Sequence, residues 1–90
     1  MDWDSISFIT SGSLRFKILT ELLNKTSTPS DLSTKLKIPI SHISSTLKGL
    51  LENELIECLT PDRRRNKFFQ MTKKGEKILD EINKITKKKG

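Results

Sequence analysis

Three consecutive guanidinium groups, Arg63-Arg64-Arg65, carry the sharpest chemical signal in the chain. They follow Pro61-Asp62 and precede Asn66-Lys67, between two short apolar runs, Leu55-Ile56-Glu57-Cys58-Leu59-Thr60 and Lys67-Phe68-Phe69-Gln70-Met71-Thr72. Those runs read as two strands, and the turn-rich stretch 61–66 reads as the tip of a hairpin. Like charges on an exposed tip repel one another and gain little from solvent alone. They suit phosphate groups, or the narrow minor groove of A·T-rich duplex where the potential is most negative. A turn that merely aids solubility is the plainer reading. Asp62 is expected to shape the turn, as Asp does after Pro.

A second group lies upstream, on a segment expected to be helical over 41–53. At 100° per residue Ile43, Leu47, Leu50 and Leu51 gather on one side. Ser41, Ser45, Lys48 and Glu52 fall opposite, with His42 and Gly49 on one flank and Ser44 on the other. A helix about 10–12 Å across fits a major groove about 12 Å wide. Short serines let the backbone approach bases and phosphates, while Lys48 and His42 offer longer donors. The amides of Ser41 to Ser44 are expected to favour an anionic oxygen, with Ser41 as the cap. Serine discriminates bases poorly, so few strong bidentate contacts are expected, and serines can also simply solubilise an exposed face.

The elements that must position these groups follow from the periodicity. Trp3, Ile6 and Ile9 have helical spacing, compatible with a short helix or an extended arm, and Ser11-Gly12-Ser13 breaks the pattern. Ser13 is a candidate cap for a helix through Leu23, whose wide apolar stripe holds Leu14, Phe16, Ile18, Leu19, Leu22 and Leu23. Asn24 to Ser27 reads as loop. Thr28-Pro29-Ser30-Asp31 is a helix start, with Thr28 as cap, Pro29 at the first helical position and Asp31 completing a capping box. That helix is short, running to about Lys37, with Leu32 and Leu36 inward, and Pro39 stops it. After the hairpin, Thr72 caps a last helix with Ile78, Leu79, Ile82 and Ile85 on one face.

Charge supports this division. Residues 1–60 carry six basic and seven acidic side chains, a net of −1, and residues 61–90 carry eleven and four, a net of +7. A positive field built by one third of the chain suits a polyanion, nucleic acid first. A solvated basic tail is the alternative, since Lys87-Lys88-Lys89 supplies three of the charges. Ninety residues with 33% apolar content allow one thin core, so the chain is expected to be a single domain. Its core is expected over about 13–80, with 81–90 a basic helical extension.

Several classes drop out. No apolar run reaches the roughly 18 residues a membrane span needs, and the start Met1-Asp2-Trp3-Asp4 is acidic where a signal peptide is basic. Cys58 stands alone and is expected to be a small buried hydrophobe; with His42 as the one histidine, no metal site is expected. No catalytic triad, glycine-rich phosphate loop or carboxylate cluster is present, so neither an enzyme nor a cofactor is expected. The reading is a cytoplasmic protein.

The order helix, short helix, tight turn, helix, basic-tipped hairpin, helix is that of a mainly α winged helix-turn-helix (α-α-α-β-β-α). Residues 28–41 resemble the first half of such a motif, Ile43-Ser44-Ser45-Thr46-Leu47-Lys48-Gly49-Leu50 resembles a recognition helix, and Leu55 to Leu59 the strand after it. Phe69-Gln70-Met71-Thr72-Lys73-Lys74-Gly75 resembles the aromatic-x-hydrophobic-Thr-x-x-Gly ending of small ArsR/MarR/PadR-like regulators, many of them archaeal. The resemblance covers about residues 13–80. It departs at Glu54, where the family usually has Gly, so either Asn53 supplies the left-handed cap or the helix ends differently. The paired cysteines of metal-sensing ArsR proteins are absent.

Resemblance and residues together lead to an expected transcriptional regulator that binds specific double-stranded DNA. The expected contacts are Ser41, His42, Ser44, Ser45 and Lys48 in the major groove, with Arg63, Arg64, Arg65 and Lys67 on the minor groove or backbone. Arg15, Lys17, Lys73 and Lys74 are candidates for further phosphate contacts. A homodimer is expected, with Trp3, Ile78, Ile82 and Ile85 at its seam, although the stripe on the last helix could equally pack on its own chain. A small-molecule effector, for which no separate domain is expected, would sit at that seam and is not assigned. Alternatives are a nonspecific nucleic-acid or RNA binder and a winged helix used for protein assembly. The arginine triplet speaks against assembly, and the lack of aromatics at the hairpin tip speaks against RNA.

Overall fold

A computed structural model describes residues 3–64 and 67–87. The elements run α1 (Trp3–Thr10), α2 (Ser13–Asn24), α3 (Pro29–Leu36), α4 (Ile40–Glu52), β1 (Ile56–Cys58), β2 (Phe69–Met71) and α5 (Lys73–Lys87). This is the winged helix expected from the sequence, with the arm at the start resolved as a helix. Arg65 and Asn66 of the hairpin tip lie outside the described residues.

The core forms where the apolar stripes meet. Ile6 and Ile9 of α1, Ile18, Leu19 and Leu22 of α2, Leu32 of α3 and Ile43, Leu47 and Leu50 of α4 are buried. They close against Leu55, Ile56, Phe69, Met71, Ile78, Leu79 and Ile82 in one cluster. Leu14, Phe16, Leu36, Leu51 and Cys58 are half-buried against it. Leu23 departs from its expected place: it sits at the margin of the α2 stripe and is exposed.

Ile78 and Ile82 are each only 3% exposed, because α5 lies on α1 and α2 of its own chain. Their expected place at an intermolecular seam is therefore corrected; they belong to this chain's own core. Trp3 and Ile85, 60% and 40% exposed, are the members of that set left at the surface.

Local chemistry sets the boundaries. Thr28 caps α3 by accepting from the Asp31 N–H at 3.1 Å, with Pro29 at the first position. Lys37 ends that helix in the left-handed region (φ 59). Both the Lys37 and Ile38 N–H groups donate to the Ser33 carbonyl, and the Ser33 hydroxyl donates back to the Ile38 carbonyl at 2.6 Å. One serine thus closes the turn between α3 and α4.

Two expected caps are corrected. Helix α2 takes Gly12 as its cap and begins at Ser13, and α4 takes Pro39 and begins at Ile40, neither with a side-chain bond. Pro39 supplies the carbonyl for the His42 and Ile43 N–H groups at 3.0 and 3.2 Å, so these two amides are not free for an anion.

The strands are shorter than expected. β1 and β2 pair antiparallel with Ile56 opposite Met71, Glu57 opposite Gln70 and Cys58 opposite Phe69. Leu59 N–H still donates to the Phe68 carbonyl at 2.8 Å, but the Phe68 N–H is taken by the Thr60 side chain at 3.0 Å, which ends the ladder. Ser27, expected in a loop, exchanges two backbone bonds with Phe69 at 3.2 and 2.9 Å and adds a one-residue rung to the sheet.

Candidate nucleic-acid interface

Helix α4 presents its outer face because its inner face is buried. Ile43, Leu47 and Leu50 recur every three or four residues and are 0–2% exposed, which fixes the helix in rotation. Ser41, His42, Ser44, Ser45 and Lys48 are then all exposed. The helix is 13 residues long, or about 20 Å at 1.5 Å per residue.

The wing meets this face across a groove. A cavity of about 250 Å³ is lined by Ser44, Leu47, Lys48 and Leu51 of α4, by Arg64 and Lys67 of the hairpin, and by Pro29 and Phe69. Two expected contacts on the helix and two on the wing thus share one opening. Leu47, Leu51, Pro29 and Phe69 form an apolar floor, and the three cations stand at its rim. Among the described residues no carboxylate pairs with Lys48, Arg64 or Lys67. Uncompensated positive charge gathered on one side of a protein is a standing attraction for a polyanion.

Arg63 is also exposed, with its guanidinium carbon 5.8 Å from the centre of the Phe68 ring, and its N–H donates to the Thr60 carbonyl at 3.1 Å. Arg65 lies outside the described residues. Ser41, His42 and Ser45 lie on the exposed helix surface beyond the groove.

Two of the further basic candidates are held elsewhere. Arg15 donates to the Phe8 carbonyl at 2.6 Å and to the Ser11 hydroxyl at 3.0 Å, and lies 3.9 Å over the Phe8 ring. It fastens the end of α1. Lys74 donates to the Asn53 carbonyl at 3.2 Å. The floor residues Pro29, Leu51 and Phe69 were not apparent as site residues from the sequence. Phe69 is legible only through strand alternation, and the others only once α3 and α4 are packed.

The exit of α4 settles the departure at Glu54. Asn53 keeps φ −93, and Glu54 itself takes the left-handed conformation at φ 59. Asn53 instead donates from its side chain to the Gly49 carbonyl at 2.9 Å.

These elements define the protein's class: a winged helix with a cationic groove between helix α4 and its wing. The winged helix-turn-helix family profile matches residues 10–90, and the chain belongs to that family. Among solved structures, a mutant of ZitR from Lactococcus lactis is 30% identical, with TM-score 0.73 over 86% of this chain and 53% of its own. Wild-type ZitR in complex with DNA is 28% identical, with TM-score 0.71 over 84% of this chain and 53% of its own. The transcriptional regulator BldR from Sulfolobus solfataricus shares the fold at 22% identity, with TM-score 0.74 over 86% of this chain and 56% of its own. The chain thus spans about half the length of the solved structures it matches. No curated protein matches the sequence.

Proposed function

We propose that the chain is a transcriptional regulator that binds a specific double-stranded DNA sequence, with α4 in a major groove and the wing, 61–66, on the adjacent minor groove or backbone. The observation that carries this reading is the shared groove: Ser44 and Lys48 from the helix face Arg64 and Lys67 from the wing. A duplex laid on that side meets both elements at once. Arg63, Arg64, Arg65 and Lys67 supply phosphate attraction, while Ser41, His42, Ser44, Ser45 and Lys48 lie where base edges pass. The likeness to ZitR, a protein found in complex with DNA, supports DNA as the partner.

The regulator acts as a homodimer on two half-sites about 34–36 Å apart. Trp3 and Ile85, on the mutually packed helices α1 and α5, supply exposed apolar surface for the seam. Among the described residues no helix is long and apolar enough to cross a membrane, and no group of His, Cys, Asp and Glu gathers as a metal site.

Selection of bound duplexes from a random pool tests the proposal. A recovered consensus is expected. Binding without a consensus identifies a nonspecific nucleic-acid binder, and no binding at low salt overturns the reading. Sedimentation at micromolar concentration tests the dimer, and a monomer there removes the seam.

A further inference from the structure

Three successive carbonyls at the exit of α4 are all held by the head of α5. Lys74 Nζ donates to Asn53 O at 3.2 Å, the Thr72 hydroxyl donates to Glu54 O at 2.7 Å, and the Thr72 N–H donates to Leu55 O at 3.1 Å. The same hydroxyl accepts from the Gly75 N–H at 3.0 Å. One side chain therefore closes the first turn of α5 and grips the end of α4.

The contact between these segments is backbone to backbone. A Cβ at Gly75 would collide with the Leu55 carbonyl oxygen and lie 2.6 Å from Met71 Cγ, so the close approach requires glycine. Opposite, the Glu54 N–H donates to Leu51 O at 2.9 Å and the Leu55 N–H to Leu50 O at 3.0 Å. The wing begins at Ile56, immediately after this knot. Helix tilt and wing exit are consequently set at one place.

A helix cap needs only an oxygen that accepts. The Thr72 hydroxyl also donates, to a carbonyl 18 residues earlier in the chain. We infer that Thr72 is a positioning residue for DNA reading: its hydroxyl holds the angle between α4 and the wing, so that Lys48 faces Arg64 and Lys67 across the groove. The inference rests on the proposed function.

The test compares Thr72→Val, which keeps the volume and removes both hydroxyl bonds, with Thr72→Ser, which keeps both. In Thr72→Val, affinity for the selected duplex should fall about five- to tenfold, the fold-change that corresponds to the net worth of one ordinary hydrogen bond. Amide exchange at Asn53, Glu54 and Leu55 should accelerate, and Thr72→Ser should restore both readouts. Faster exchange confined to the first turn of α5, with affinity unchanged, would mark Thr72 as a helix cap and overturn the inference. Lys74→Gln releases only the Asn53 tie and leaves the Thr72 hydroxyl in place. Exchange at Glu54 and Leu55 should stay at the parent rate in it, and acceleration there equal to that of Thr72→Val would assign the hold to Lys74 and overturn the inference. Thr72→Ala takes the place of Thr72→Val if that variant does not fold. If the parent protein binds no duplex, the DNA reading fails, and the exchange comparison alone decides whether the hydroxyl holds α4.

Discussion

Helix α4 buries Ile43, Leu47 and Leu50 in the core, whereas beyond Leu59 the wing leaves Pro61, Asp62, Arg63 and Arg64 in solvent. The helix offers mainly short neutral hydroxyls from a rotation fixed by the core. The wing offers charge from a hairpin held at its base by three paired positions and the Thr60 side chain. Under the proposed function the contrast separates two contributions to binding: shape and register from a part of the molecule that cannot change without disturbing the fold, and Coulombic attraction largely from a part that can.

The largest effect should follow from breaking the helix side of this contrast. Leu47→Ala should cost about 2–5 kcal/mol of stability through its cavity, read by urea denaturation. In a domain this small such a loss removes much of the margin. A loss below about 0.5 kcal/mol, the usual range of surface changes, would show that α4 is not anchored by its inner face. Replacing Arg63, Arg64 and Lys67 together by Ala should leave denaturation within about 0.5 kcal/mol of the parent. It should flatten log K against log salt by about 0.9 for each phosphate no longer neutralised. An unchanged slope takes the wing out of the mechanism.

A smaller and more selective effect is expected on the helix face. Ser45→Ala with Lys48→Ala should weaken the selected duplex more than random duplex, measured by competition; equal losses would assign α4 to backbone contact alone. The smallest effect belongs to the junction between the two regions. Glu54→Gly removes a side chain from left-handed backbone and should change stability by about 0.5–1 kcal/mol in the favourable direction. A destabilisation would mean that the Glu54 side chain offsets its own strain.

Much of this architecture was legible because periodicity and punctuation agree. The stripe on α4, the Thr28-Pro29 start of α3 and the Thr72 cap each follow from local rules, and each is present. The misplaced features depended on tertiary context. Ser41 and Ser13 are competent caps, but Pro39 and Gly12 stand one residue before the observed helix starts and occupy the cap positions. Ile78 and Ile82 have the spacing of a coiled seam, and only the packing of α5 on α1 and α2 shows that this chain uses them itself. The same holds for the interface. Charge and turn chemistry announce the wing, and a helical wheel announces the serine face, but no local pattern says that Lys48 and Arg64 share a groove. The rung at Ser27 was invisible for a related reason: one residue carries no alternation.

Phe69 is where that rung has its consequence. It is bonded through its backbone to Ser27 on one side and lies opposite Cys58 on the other, so three distant stretches of chain are riveted at a single residue. Fraying that starts at the outer end of the hairpin has to stop there. A nick or a short insertion at Pro61–Asp62 should therefore leave the helical body folded, and evolution is free to lengthen or re-equip this loop without renegotiating what lies beneath it.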